Sequence, residues 1–331
     1  MSPPPPPLPA AAVGPSITYF LGGWDLGICA DLMLQGVLFA QIAHYMALYD
    51  NDVLVLRVYV AILLIITTLK SAQGLVILWI QNVRHFMDLN AVVSMFSTSW
   101  ITRVDFVLIG IIAFYVQLFF CARLWWISKN IYIVPLIVTL FVFALIAVCI
   151  FTFAGNSKNV TWFIIHLGIV FAGDVLLCGC TIYGLLYHSR HVSAQSAGKL
   201  SALTKLTFQS AAPAAVCALI TLATTLAWDR TTPNVYIMLT LIASNVLPKL
   251  YAISAMWTLN SRKRIRRAHS IEPTSGSAMG GRQRPNNFEF SSLWVASNQH
   301  DSIEIQMQST TPLPVDDPSK HSLARGTTRS R

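Results

Sequence analysis

Residues 57–80 read RVYVAILLIITTLKSAQGLVILWI, and this run decides the fold. A hydrocarbon core about 30 Å thick takes roughly 20 apolar residues per helical crossing. The run supplies that length with one charge, Lys70, inside it. Working outward, the same pattern recurs at 26–48, 104–126, 131–153, 163–187, 206–228 and 234–257. Trp24, Trp79, Trp100, Trp125, Trp126, Trp162, Trp228 and Trp257 stand near their ends, where amphipathic rings anchor at the membrane–water boundary. Hydrophobic residues make up 54% of the 331 and charged residues 11%. Mean hydropathy is +0.57, a balance that excludes a water-soluble domain of this length. The expected fold class is all-α, an integral membrane seven-transmembrane-helix bundle over 25–260. A Pro-rich outer segment, 1–24, precedes it, and a basic, then disordered cytosolic tail, 261–331, follows. Pro213 and Pro248 predict kinks in helices six and seven.

Charge distribution gives an orientation. The alternating joints on one side carry Arg84, Arg103, Lys158 and Arg230. Those on the other carry Arg57, Arg123, Lys129, Arg190, Lys199, Lys205, Arg262, Lys263, Arg264, Arg266 and Arg267. Cytosolic joints hold the excess of Lys and Arg, so the N-terminus is expected outside and the C-terminus in the cytosol. The sequon Asn159-Val160-Thr161 then faces outward as a candidate for glycosylation. Net charge is +9, with 12 Lys/Arg against 8 Asp/Glu before residue 261 and 11 against 6 after it. An excess gathered beneath the last helix suits anionic lipid at the cytosolic face, not a nucleic-acid groove. Phosphorylation of Ser270, in Arg267-Ala268-His269-Ser270, adds negative charge beside that run.

Catalysis has no sequence support. There is no GxSxG, HExxH or Gly-rich phosphate loop, and His188 and His191 form a lone HxxH. The six cysteines lie in apolar segments, where a thiol acts as a small hydrophobe, and predict no disulfide framework. No catalytic residue, metal site or cofactor is expected, and the chain does not read as an enzyme.

Charges that survive within a crossing are the informative residues, because they are expensive in lipid. They are Asp31, Lys70, Asp174 and Lys249. Asp31, Gln35, Gln41 and Tyr45 fall within about 120° of arc on helix one and form a polar stripe facing the bundle. A short joint sets helix two beside helix one, so Asp31 and Lys70 are expected to pair in the outer half, the lysine snorkelling to cover the difference in depth. Three roles stay open for this set: structural pairs that fix helix packing, a ligand or ion path, and a covalent role for Lys249. The last lacks a counter-ion in the sequence, since Asp105 sits at the outer end of helix three and Asn245 stands one turn before the lysine.

Several segments, taken in order, resemble a large group of fungal, mainly basidiomycete, seven-helix membrane proteins known only as a domain of unknown function. They are Gly36-Val37-Leu38-Phe39-Ala40-Gln41 through Tyr45 and Asp52, Gln117-Leu118-Phe119-Phe120-Cys121-Ala122-Arg123-Leu124 through Ser128, Asp174, and Lys249-Leu250-Tyr251-Ala252-Ile253-Ser254 through Leu259-Asn260-Ser261-Arg262. The last two bracket the family core, about 171–262. The resemblance implies fold, membrane location and fungal origin, and no substrate. The matched motifs gather at cytosolic helix ends, where Arg123, Asn260 and Arg262 are suited to lipid phosphates, free helix carbonyls or a cytosolic protein partner. The expected function is that of a receptor-like or sensory seven-helix protein. The alternatives are a small-molecule or ion transporter or channel and a membrane scaffold without ligand. A polar stripe open to one side favours the receptor, and one continuous through the bundle favours the transporter.

Overall fold

A computed structural model describes residues 10–49, 52–86, 88–128, 132–153, 159–190, 212–227 and 235–270. They form helices α1 (Ala10–Leu48), α2 (Leu54–Trp79), α3 (Leu89–Thr98), α4 (Trp100–Ser128), α5 (Ile133–Phe153), α6 (Asn159–Arg190), α7 (Ala212–Ala227) and α8 (Val235–Ser270). Backbone polar groups in lipid must be satisfied within each segment, which leaves the helix as the solution for these apolar runs. Six helices are long and apolar enough to cross a membrane, at Thr18–Leu48, Leu54–Arg84, Trp100–Trp126, Ile133–Phe153, Val160–Tyr187 and Val235–Arg262. α7 is apolar but shorter as described, and the earlier part of the expected span 206–228 lies outside the described residues.

The long helices pack with alternating direction. Asp25 of α1 bonds Gln81 at the far end of α2, and Gln35 bonds Thr68 nearer its middle. α4 turns back along α2, with Gln73 bonded to Ile101 O and Tyr115 to Tyr59 O. α5 opposes α4 through Phe151 on Phe106, and α6 opposes α5 through His166 on Ala144 O. α8 closes the bundle against α1 and runs parallel to it. Gly23 and Gly27 allow this, because a Cβ on either meets Met238, Leu241 or Asn245 at 3.0–3.2 Å. The central core joins α1, α2 and α8 through Leu38, Ile42, Val60, Leu63, Ala252, Ala255, Met256 and Leu259. Met33, Leu54, Ile65, Leu136 and Leu226 point outward, as lipid-facing side chains do.

Three boundaries differ from the sequence reading. α1 starts at Ala10, not near 26. The stretch expected as a loop between helices two and three holds α3. The Asp88 side chain accepts from Ala91 N at 3.1 Å to cap it, and its buried Val92 and Met95 face the bundle, Met95 in the cluster of Trp24 and Ile28. α2 itself runs on through a wide turn, Ile80–Arg84, closed by His85 N to Ile80 O. α8 continues through Pro248 as one helix and extends to Ser270, so the start of the expected tail is helical. Pro213 lies in the first turn of α7 as described, and residues 271–331 lie outside the described set.

Candidate functional site

Asp31, on the inner face of α1, is the hub. Its Oδ1 lies 3.1 Å from Lys70 Nζ and its Oδ2 accepts from Ser71 Oγ at 2.7 Å, both from α2. Lys70 spends a second donor on Asn245 Oδ1 of α8 at 2.9 Å. Lys249, one turn further along α8, donates to Gln35 Oε1 at 2.5 Å, Thr67 O at 2.7 Å and Ser71 Oγ at 2.9 Å. Its ammonium stands 3.7 Å from Asp31 Oδ2. Asp31, Gln35, Lys70, Asn245 and Lys249 are 0–4% exposed, so water does not screen these contacts. The arrangement clamps α1, α2 and α8 with one carboxylate between two ammoniums.

The expected Asp31–Lys70 pair is therefore present, and Lys249 joins it. The counter-ion missing for Lys249 in the sequence reading is Asp31. Sequence alone puts α1 and α8 more than 200 residues apart, and only their parallel packing sets the two groups together.

A second buried acid belongs to this region, and it is not Asp174. Asp105 of α4 is 1% exposed, lies within electrostatic reach of Lys70, Asp31 and Lys249, and neither of its oxygens has a hydrogen-bond partner among the described residues. The sequence reading set Asp105 aside as a helix-end residue. Its signal was an acid five residues inside an apolar helix. Above it, Trp24 packs on Phe96 at 4.8 Å and on Phe106 at 5.9 Å. A cavity of about 20 Å³, room for one water, lies nearby between Phe106, Ile109, Phe163, His166, Ser244 and Pro248.

Asp174 of α6 stands apart from the clamp. It accepts from Gln117 Nε2 of α4 at 3.2 Å and from the Tyr251 hydroxyl of α8.

The opposite end of the bundle holds a separate latch. Asp52, at the α1–α2 joint, accepts from Tyr45 OH at 2.8 Å and from Arg262 Nη2 at 2.5 Å, and its other oxygen accepts from Val53 N at 3.0 Å. The Arg262 guanidinium lies 4.8 Å over the Tyr49 ring, and Asn260 Nδ2 donates to Gln41 O at 3.0 Å. Asn260 and Arg262 do meet helix carbonyls, Gln41 O and Leu259 O. Arg262 turns inward to a carboxylate, and Arg123 is likewise buried. Arg264, Arg266 and Arg267 lie on the helical end of α8, and their side chains are outside the described residues, as are those of Asn159 and Ser270.

Apolar helices of crossing length, joined through buried charges, define a multi-pass membrane protein. Residues 170–264 match a family of unknown function, DUF6534. The match takes in Asp174, Lys249, Tyr251, Asn260 and Arg262 but not Asp31, Lys70 or Asp105. No curated protein and no solved structure matches the chain.

Proposed function

We propose that the chain is a receptor-like seven-helix membrane protein whose ligand site opens to one face of the membrane only. The observation that carries this reading is the apolar seam that α1, α2 and α8 form between its two polar sites. Leu38 and Ile42 of α1, Val60 and Leu63 of α2, and Ala252, Ala255 and Met256 of α8 fill the seam between the Asp31 clamp and the Asp52 latch, all nearly inaccessible, while Gln117, Asp174 and Tyr251 at this depth are joined to one another where α4, α6 and α8 meet. A transport path along that seam would need polar groups lining it.

Helix direction supports seven crossings. α1 and α8 run parallel, with Gln35 bonded to Lys249 and Gln41 to Asn260. Parallel first and last helices require an odd number of crossings. α7 supplies the one missing from six, because Thr224 bonds Thr240 and Cys217 bonds Ala243 O in antiparallel register with α8. The Lys/Arg asymmetry then sets α1's start outside, so the Asp31–Asp105 region lies in the outer half and the Asp52 latch at the cytosolic face. Lys263, Arg264, Arg266 and Arg267 follow the latch and meet anionic lipid there.

Asp105 is the group this site leaves for a ligand. Counting Asp31 and Asp105 against Lys70 and Lys249, the formal charges of the four groups sum to zero. A net cation or anion unbalances them in low dielectric, so the ligand is neutral or zwitterionic and offers a donor to Asp105. Lys70, with two of its three N–H donors used, complements an acceptor on the same molecule.

Single cysteines at Ser244 and Asn245 in a cysteine-free background test the reading. The probe is a membrane-impermeant cationic methanethiosulfonate applied to right-side-out and inside-out vesicles. Labelling from the outer side only is expected. Labelling from both sides makes the chain a transporter, and labelling from neither removes the cavity and leaves a scaffold.

A further inference from the structure

We propose that Asp174 is a proton-binding site in mid-membrane, holding a neutral carboxylic acid that a lipophilic carbodiimide can reach. Asp174 sits at the middle of the Val160–Tyr187 span. Unlike Asp31 and Asp52, it has no Lys or Arg within ion-pair distance among the described residues. Each helix packed around it presents a neutral group. From α4 come Gln117 Nε2, which donates to Oδ1, and the Cys121 thiol. From α8 comes the Tyr251 hydroxyl, on Oδ2, with Cys217 of α7 beside it. α6 itself contributes Cys178 one turn away, and α5 contributes the Phe141 ring against Gly173. An ionised carboxylate here is an unpaired charge in the hydrocarbon, with only an amide and a phenol to replace its hydration. A protonated one keeps both contacts without that charge.

The acid is also accessible from the lipid side. It is half-buried, on the edge between the inward Gly173 and Leu177 and the outward Ala172, Val175 and Leu176. Proton occupancy bears on the bundle, because the Asp174–Tyr251 contact bridges α6 to α8 two residues beyond Lys249.

Dicyclohexylcarbodiimide is the probe. The carboxylic O–H adds across one C=N bond, the proton passing to nitrogen, and the O-acylisourea rearranges to an N-acylurea that retains every atom of the reagent. The full chain, reconstituted in vesicles, is labelled across a pH series and mapped by tandem mass spectrometry. The expected adduct lies on Asp174 and not on Asp31, which two lysines hold ionised. It falls about tenfold per pH unit above the point of proton release. A lipophilic maleimide on Cys178 reports access to the same helix face. Cys178 labelled with Asp174 unmodified throughout the series overturns the proposal, and so does an Asp174 adduct indifferent to pH. Cys178 unlabelled as well denies the lipid-side access and overturns it equally. Because the wild-type chain gives the site directly, the outcome does not depend on whether Asp174→Asn folds.

Discussion

Asp31→Asn is the most damaging single change expected in the clamp, and the structure sets its rank. The substitution removes the carboxylate shared by Lys70 at 3.1 Å and Lys249 at 3.7 Å, and leaves two ammoniums of zero exposure facing an amide. Breaking one buried pair typically costs about 3–5 kcal/mol through the stranded charge. Lys70→Met costs less, because Asp31 keeps Ser71 and Lys249. The double variant leaves Lys249 with Gln35, Thr67 O and Ser71 intact, so it recovers one of the two stranded ammoniums. Its loss should fall about 3 kcal/mol short of the sum of the single losses, roughly a hundredfold in the folded-to-unfolded ratio. The assay is the monodisperse fraction on fluorescence-detected gel filtration after graded heating in detergent. The expected order of loss is Asp31→Asn, then the double variant, then Lys70→Met. Additive losses refute the shared-carboxylate account, and so does a double variant worse than Asp31→Asn.

The latch should behave as a second, independent unit. Arg262→Ala leaves Asp52 buried without its cation and should lose about 3–5 kcal/mol by the same thermal assay. Arg262→Lys should recover only part of this, because an ammonium lacks the planar fork that both meets Asp52 and lies over the Tyr49 ring. Gly27→Leu should cost about 1–3 kcal/mol by driving α1 from Asn245, whereas Gly22→Leu, with nothing within 4 Å of its Cβ direction, should leave stability unchanged. Equal losses at the two glycines contradict the close approach. Tags at Ser2 and Arg331, treated with protease on intact cells, should be cut only at Ser2. Loss of the Arg331 tag without permeabilisation reverses the orientation.

Much of the fold is legible without coordinates because crossing a bilayer is a local demand. Length and hydropathy summed over about 20 residues locate α2, α4, α5, α6 and α8. α3 escapes such a sum because it has only ten residues, although Asp88 at its cap is a readable start signal. For the site, the sequence determined which residues are costly. Asp31, Lys70, Asp174 and Lys249 stand out because a charge in an apolar run needs a reason, and adjacency of consecutive helices was enough to pair Asp31 with Lys70. Tertiary structure alone decided the rest. It sent Asp174 to Tyr251, brought Asp105 toward the two lysines and closed Asp52 on Arg262. Each of these turns on which non-consecutive helices touch and in what direction. That is settled where Gly23 and Gly27 let α8 lie along α1, a contact across more than 200 residues that no local pattern encodes.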